Sequence, residues 1–330
     1  MVQVEKTDVY LKNSSALYVI KFFAILSVVF AHCSYHNTPV AHSISGLIGG
    51  LGVPIFLISS GIFFNGTEDA KKFWMKKLKG IIVPWLIFGV LTYILAVILG
   101  SPFGVVDMLR WIIGHGSWMY FVTILLFYYA FFRAIRWEGI HYVAIALWIL
   151  SNVLDVFGVN PISNLVGQYL NPFSRIGYFS IGVMAKKVGV LEFKMPKLWI
   201  KLVASFVTLG LGVASICLGK IAFAAYLTEM IFTLCAATTL FFWSQSLSEC
   251  KLLQNVGKQT YLIYFLHMQL GIGAVNAVIH ALSLPSAADW VLLFVKPVAI
   301  LSLVYFGIFV LDIIIKKLGM SKFKWIIGMK

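Results

Sequence analysis

The stretch ALYVIKFFAILSVVFAHC, which runs from Ala16 to Cys33, is long and apolar enough to cross a lipid bilayer as a helix. Two ionisable residues interrupt it: Lys21 and, eleven positions later, His32. This spacing places them about three helical turns apart, on roughly the same side of the helix. Ionisable side chains inside a membrane span are costly and are usually retained for a function. The stretch therefore predicts a membrane helix with a polar group near each end.

The whole chain shares this apolar character. Of its 330 residues, 61% are hydrophobic and only 12% are charged, whereas soluble domains are roughly one-quarter charged. Long apolar runs favour helices over a membrane barrel, which would show alternating segments of about ten residues. We therefore predict an all-α fold, a polytopic membrane bundle of about ten transmembrane helices. They are expected near residues 15–35, 44–64, 80–100, 117–132, 140–157, 173–186, 199–218, 221–243, 260–282 and 289–315.

The distribution of charge predicts the orientation of these helices. The net charge is +14, and most of the 26 lysines and arginines fall in alternate connections between apolar runs. This positive-inside pattern places both termini in the cytoplasm and argues against a nucleic-acid partner. We expect a single domain over residues 1–330, with a cytoplasmic tail at 1–14 and a basic cytoplasmic tail at 316–330. The four cysteines have no metal-ligand spacing, and no metal is expected.

Further ionisable residues lie within or beside the predicted spans. His267 is in the ninth, Glu229 in the eighth and Lys296 in the tenth, while Asp155 is near the outer end of the fifth. Buried carboxylates and amines need partners, so Glu229 with Lys296 and His32 with Asp155 are candidate pairs. A structural role as contacts between helices explains Glu229 and Lys296 at least as well.

Each of these residues also has a plain structural explanation. Taken alone, His32 is better explained as an interfacial histidine and Lys21 as a lysine that extends toward the inner surface. The number of intramembrane polar residues is what favours a shared polar cavity. On the predicted outer side, Trp118 is equally compatible with an interfacial aromatic belt. Arg175 opens the sixth predicted helix, where arginine does not favour the helix dipole, and this indicates a specific role.

Four segments together resemble the motifs of the membrane acyltransferase-3 family. They are KFFAILSVVFAH at 21–32, VPIFLISSG at 53–61, KKLKGIIVP at 76–84 and GKQTYLIYFLH at 257–267. The segments that begin at Trp118 and at Arg175 are weaker matches. The resemblance covers essentially the whole chain. The chain has Lys21 where the family usually has arginine, and lysine keeps the charge but lacks the bidentate guanidinium fork.

The resemblance implies a set of roles. His32 is expected to be the catalytic base, either directly or through an acyl-imidazole, and Asp155 is the candidate to orient it. The residues expected to bind acyl-coenzyme A are Lys21, Lys76, Lys77 and Lys79. The residues expected to bind the acceptor are Ser60, Trp118, Arg175 and His267.

The resemblance also implies an activity and a location. The chain is expected to move an acyl group, acetyl by default, from cytoplasmic acyl-coenzyme A to a hydroxyl of an extracytoplasmic acceptor. The expected acceptor is a cell-envelope saccharide and the expected location a bacterial plasma membrane, with membrane lipids as the surrounding partners. Intramembrane Lys, Glu and His residues equally suit a small-solute transporter or a substrate-supplying domain of the same family. A catalytically silent membrane scaffold is the third alternative.

Overall fold

The computed structural model describes residues 2–33, 39–218, 222–282 and 288–329, with the side chains of 2–9, Pro39 and Ala222 excepted. These residues form helices and connecting turns, with no β-strand among them. The α-helices are α1 (Val2–Ala31), α2 (Pro39–Gly49), α3 (Gly52–Ile62), α4 (Ala70–Lys77), α5 (Val83–Ile98), α6 (Val105–Ile113), α7 (Tyr120–Ala134), α8 (Ile140–Val156), α9 (Pro161–Val166), α10 (Ile176–Lys187), α11 (Leu198–Cys217), α12 (Ala222–Ser246), α13 (Lys251–Lys258), α14 (Thr260–Leu266), α15 (Gly273–Ala281) and α16 (Asp289–Lys317).

Two single turns of π-helix interrupt longer helices. One, Leu78–Ile82, joins α4 to α5, and the other, His267–Ile272, joins α14 to α15. Short 3₁₀ turns cover Pro172–Ser174, Val190–Glu192 and Ser321–Ile327. π-Turns are rare and occur frequently at functional sites. Both lie in or directly after segments that carry the family resemblance.

The all-helical fold class and the membrane location agree with the sequence prediction. Within the described ranges, seven helices are long and apolar enough to span a bilayer: Tyr10–Ala31, Val40–Ile62, Ala70–Ile98, Leu198–Cys217, Phe223–Ser246, Thr260–Ala281 and Asp289–Lys317. The fourth and fifth predicted spans correspond to the shorter apolar helices Tyr120–Ala134 and Ile140–Val156, and the sixth to the 12-residue α10. The count of ten and the orientation of the termini remain predictions.

Exposed apolar side chains mark the surfaces that face lipid. Phe206 in α11 is 73% exposed and Ile98 at the end of α5 is 74% exposed. Side chains of this size on a water-facing surface would form a large apolar patch, which soluble monomers rarely carry. Lipid tails accommodate them without that cost, so these helices are consistent with an integral membrane protein.

The chain forms two compact units. The first comprises Met1–Ser59 and Ala185–Phe309, and the second comprises Ser60–Met184 and Val310–Lys330. In the first unit, α1 packs against α2, α12, α13 and α14. In the second, α5 packs against α6 and against the 3₁₀ turn at Ser321–Ile327.

Hydrogen bonds between helices hold α1 in the first unit. The Ser27 hydroxyl donates to the carbonyl of Gly49 at 3.2 Å and to that of Ile48, and the Ser45 hydroxyl donates to the carbonyl of Phe30 at 2.7 Å. Each bond supplies a carbonyl near a helix end with a donor that lipid could not offer. An apolar cluster that includes Val29, Phe30, Cys33, Ala41, Ile272, Leu293 and Ile300 packs around the same end of α1.

A second close contact holds the other half of α1. Gly257 in α13 has no side chain, and a Cβ placed there would overlap the backbone carbonyl of Tyr18. The absence of that atom lets the two helices touch through their backbones, as small residues do at membrane helix interfaces. Gly257 is therefore required for packing, independently of any chemistry nearby.

We predict that Gly257→Ala destabilises the protein by about 1–3 kcal/mol, because overpacking forces α13 away from α1. The matched control is Gly210→Ala in α11, where a Cβ would meet nothing within 4 Å. Helix propensity alone would make that control stabilising by about 1 kcal/mol. Thermal unfolding of the detergent-solubilised protein measures both variants. Equal midpoints for the two variants would contradict the packing argument.

Candidate active site

The first unit brings His32 and His267 together. His32 is the first residue after α1, and His267 opens the π-turn that follows α14. Their ring centroids are 5.2 Å apart, with the ring planes inclined at 48°. The sequence predicted both residues as site members but not their contact, since 235 positions would separate them along the chain (267 − 32).

Hydrogen bonding fixes which nitrogen of His267 carries its proton. The ring is fully buried, and Nδ1 lies 2.6 Å from the carbonyl oxygen of Tyr264. A carbonyl oxygen only accepts hydrogen bonds, so Nδ1 is the donor. In the neutral ring Nε2 then keeps its lone pair, and it is the nitrogen that can accept a proton or a hydrogen bond.

The two histidines differ in their access to a substrate. His267 has no exposed surface, whereas His32 is half-buried. Of the two, His32 is the one with accessible surface, so His267 is placed to act only through its neighbour. A buried imidazole of fixed tautomer beside a reachable one is an arrangement suited to proton transfer.

Two lysines flank Tyr18 on the other half of α1. Lys21 Nζ and Lys258 Nζ each lie 5.6 Å from the centroid of the Tyr18 ring. Lys258 follows Gly257, so the backbone contact between α13 and α1 is also what brings the second cation to the ring. Sequence reasoning identified Lys21 but missed Lys258, although Lys258 lies within the GKQTYLIYFLH segment.

The predicted acyl-coenzyme A lysines of the second unit all make contacts within the chain. Lys76 forms an ion pair with Glu68, and Lys77 Nζ lies 3.8 Å from the centroid of the Tyr129 ring. Lys79 Nζ lies 5.8 Å from the centroid of the Trp325 ring. The three ammonium groups occupy one basic segment, but none is simply a solvated surface charge. An incoming phosphate would compete with Glu68 for Lys76.

Arg133 holds the loop that carries Glu68. It donates from Nη1 to the carbonyl of Gly66 at 3.1 Å and from Nη2 to the carbonyl of Glu68 at 2.5 Å. Asp69 then caps α4 by accepting from the backbone N–H of Lys72 at 2.9 Å. The loop is thus fixed at the start of the basic segment. Sequence reasoning counted Arg133 only as a topology signal.

Charge and hydrogen bonding at this loop alter one titration. The hydrogen bond from Lys76 holds the pKa of the Glu68 carboxyl below its usual value, and the nearby charges of Lys72 and Lys77 act in the same direction. The carboxylate therefore stays charged, and the pair stays formed, as the pH falls into the range where an ordinary glutamate is protonated. Its contribution is lost only as the pH falls through the depressed pKa.

Ser60 and Trp118, both predicted to bind the acceptor, lie among aromatic side chains of the second unit. Ser60 is half-buried and hydrogen-bonds with the Tyr129 side chain. The Trp118 ring is buried and meets the edge of Trp111 at a centroid distance of 5.5 Å. Gly61 next to Ser60 lets the chain approach the backbone carbonyl of Phe179. This is the close helix approach that the small residues at 59–61 predict.

Arg175 lies between two tyrosines. Its Cζ is 5.6 Å from the centroid of Tyr120 and 5.4 Å from that of Tyr169, and the two tyrosine rings are 5.0 Å apart. Guanidinium groups at this distance from aromatic faces make cation–π contacts. The sequence predicted a role for Arg175, but no pattern in it indicated either tyrosine.

Asp155, the predicted orienting group for His32, belongs to the second unit. There its Oδ2 accepts a hydrogen bond from the Ser174 hydroxyl at 3.3 Å. The contact of His32 that the first unit provides is with His267. The role of Asp155 toward His32 stays a prediction. Among the residues that the structure describes, no group of three or more His, Cys, Asp or Glu side chains is arranged to hold a metal ion.

Comparison with known proteins identifies a family. The acyltransferase-3 family model, described as an acyltransferase domain, matches residues 15–316, which is most of the chain. Comparisons with curated proteins and with solved structures give no significant match.

We predict that Lys76→Met raises the pKa of Glu68 toward its ordinary value of 4.5, because it removes the hydrogen bond that lowers it. Lys71→Met is the matched control, since it removes a lysine charge from the same helix without touching that bond. Carbon-13 NMR titration of glutamate-labelled protein measures the carboxyl, and the Glu68→Gln variant assigns its signal. The same pKa in both variants would show that Lys76 does not hold the carboxylate.

Proposed function

Because the chain belongs to the membrane acyltransferase-3 family, we propose that it moves an acyl group from cytoplasmic acyl-coenzyme A to a hydroxyl of an extracytoplasmic saccharide. Acetyl is the acyl group we expect. The observation that carries the proposal is the contact of His32 with His267, because it joins a reachable imidazole to a buried one of fixed tautomer.

The chemistry of the transfer assigns a role to each histidine. His32 accepts the proton of the acceptor hydroxyl as its oxygen attacks the carbonyl carbon of the thioester. The new carbon–oxygen bond forms and the carbon–sulfur bond breaks. The departing thiolate takes the proton from His32 and leaves as free coenzyme A thiol, which returns His32 to its neutral form. In the proposed step, protonated His32 donates a hydrogen bond to Nε2 of His267, so that His267 orients His32 and stabilises its protonated form. In this role His267 is a positioning residue rather than the acceptor-binding residue that the resemblance implied.

Each unit separately offers lysines that suit the phosphates of the donor. Acyl-coenzyme A is polyanionic, and ammonium groups bind phosphates as point charges. Lys21 and Lys258 at the Tyr18 ring offer two such charges in the first unit. Lys76, Lys77 and Lys79 offer three in the second. The ion pair of Lys76 and the ring contacts of the other four lysines restrict these side chains, which lowers the entropy lost when a phosphate binds.

We expect His32→Ala to lower the rate of acyl transfer by about 10²–10⁴-fold, which is the usual contribution of a general base. The assay is release of free coenzyme A thiol from acetyl-coenzyme A by the purified protein, with cell-envelope polysaccharide fragments as acceptor. His280→Ala in α15 is the matched control, because His280 is exposed and takes no part in the pair. A folded His32→Ala protein that transfers at the normal rate would overturn the mechanism.

The same purified protein distinguishes the proposal from transport. Solute uptake into liposomes without thiol release would support a transporter, and the absence of both would support a scaffold. Thiol release that depends on the acceptor supports the enzyme alone.

We expect His267→Gln to lower kcat by at least about tenfold and to move the acid limb of the pH–rate profile, because the group that orients His32 changes. A purely structural residue would change the amount of folded protein without moving that limb. The pH dependence of kcat/KM, measured beside thermal unfolding, separates the two. An unshifted profile with reduced activity would contradict the positioning role.

A further inference from the structure

A guanidinium nitrogen of Arg175 is buried without a hydrogen bond. The solvent-accessible surface of Nη1 is below 1 Å², and this atom has no hydrogen-bond partner among the described residues. A buried donor left unsatisfied costs the desolvation energy of that group, and the cost is larger when the group is charged. Cation–π contacts with Tyr120 and Tyr169 offset the charge but do not satisfy the N–H donors. Arg175 as a whole is half-buried rather than buried, so an anion that approaches its accessible part would balance the charge and accept hydrogen bonds from the guanidinium.

The exposed aromatic ring beside Arg175 favours a ligand that carries a ring of its own. Tyr169 is 60% exposed, so it presents an accessible aromatic face beside the guanidinium. Tyr120 is half-buried, and its ring centroid lies 5.0 Å from that of Tyr169. An aromatic face packs against the apolar face of a flat molecule, and the neighbouring arginine fork binds a planar carboxylate in bidentate geometry. An inorganic anion would contact the Arg175 guanidinium but would not pack against the exposed Tyr169 ring.

The segment that carries Tyr169 and Arg175 is held by side-chain amides. Asn160 donates to the carbonyl of Ser151 at 2.8 Å, and Asn171 donates to the hydroxyls of Ser151 at 3.0 Å and Ser163 at 2.9 Å. Each asparagine precedes a proline and accepts from backbone N–H groups two residues further on. These bonds fix the loop before and after Tyr169. The Tyr169 ring and Arg175 are therefore held in place before a ligand binds.

The base of this segment is fixed as well. The Tyr128 hydroxyl donates to the carbonyl of Pro172 at 2.6 Å, and the Asn152 amide donates to the carbonyl of Ser174 at 3.0 Å. Arg175 follows directly. The site is therefore built from ordered side chains of one unit.

We infer that Arg175, Tyr120 and Tyr169 form a subsite for a sugar acid, in which the guanidinium binds a carboxylate and Tyr169 stacks on the sugar ring. The inference rests on the proposed function, because it assigns this sugar acid to the acceptor. It narrows the acceptor from saccharides in general to saccharides that carry a carboxylate. On the predicted topology the subsite lies on the outer side, where the acceptor arrives.

The first experiment uses the unmodified full chain in lipid nanodiscs. Calorimetric titration compares methyl β-D-glucuronide with methyl β-D-glucoside and with the methyl ester of the glucuronide. The glucoside and the ester keep the ring but lack the negative charge. We expect the glucuronide to bind roughly 10- to 100-fold more tightly than either, as for a hydrogen bond to a charged group. Equal affinities for the three sugars would overturn the inference without any variant.

The second experiment tests the arginine. Arg175→Met is expected to reduce glucuronide affinity to that of the glucoside, and Arg175→Lys is expected to restore part of the difference, because lysine keeps the charge without the fork. Arg110→Met in α6 is the matched control, since Arg110 is an exposed arginine of the same unit on the predicted outer side. Loss of the preference in the control, or its survival in Arg175→Met, would overturn the assignment.

Binding and transfer separate this inference from the proposed function. A glucuronide preference without thiol release from acetyl-coenzyme A would leave the subsite standing and remove the acyltransferase proposal. Acyl transfer to the glucoside as fast as to the glucuronide would support the acyltransferase proposal and contradict the carboxylate subsite. Tyr169→Ala is expected to weaken all three sugars by a similar factor, because it removes the stacking face and leaves the charge. Loss confined to the glucuronide would contradict the role of the ring.

Discussion

The interior of a bilayer offers no hydrogen bonds, and the position of His32 depends on how α1 meets this constraint. The Ser27 and Ser45 hydroxyls pair with carbonyls across the contact between α1 and α2. Gly257 removes a side chain so that α13 can touch the backbone of α1 at Tyr18. These contacts fix both halves of one long helix. His32 follows its last residue, and its ring meets His267 because α1 and the π-turn pack in the same unit.

The two π-turns connect the family segments to the geometry. Leu78–Ile82 follows the last residues of α4, and His267–Ile272 begins at the histidine itself. A π-turn adds one residue to a helical turn and so redirects the side chains around it. At His267 the turn coincides with a short contact between the ring and the Tyr264 carbonyl. That contact decides the tautomer and hence the proton chemistry that the pair can perform.

The cations divide into two chemical kinds. Lys21 lies beside the ring of Tyr18, and Lys77 lies beside the ring of Tyr129. Both lysines are predicted to bind the acyl-coenzyme A donor. They act as point charges, which suits phosphates that approach in several orientations. Arg175 instead presents a planar fork between two tyrosines. This geometry suits a planar anion, which fits the acceptor role proposed for Arg175, whereas the point charges of the lysines fit the proposed polyanionic donor.

Composition and local pattern were sufficient for the fold class and the approximate helix positions, because lipid imposes a length and an apolar character on each span. The family was indicated by the four motif segments and is shown by the family model over residues 15–316. Composition and local pattern also drew attention to His32 and His267, since ionisable residues stand out in apolar runs, and the roles of these residues stay predictions. They did not reveal that His32 lies against His267, that Lys258 joins Lys21, or that Tyr169 covers Arg175. Those pairings depend on contacts between helices distant in the chain, and side-chain periodicity along one helix contains no information about which helix it will face.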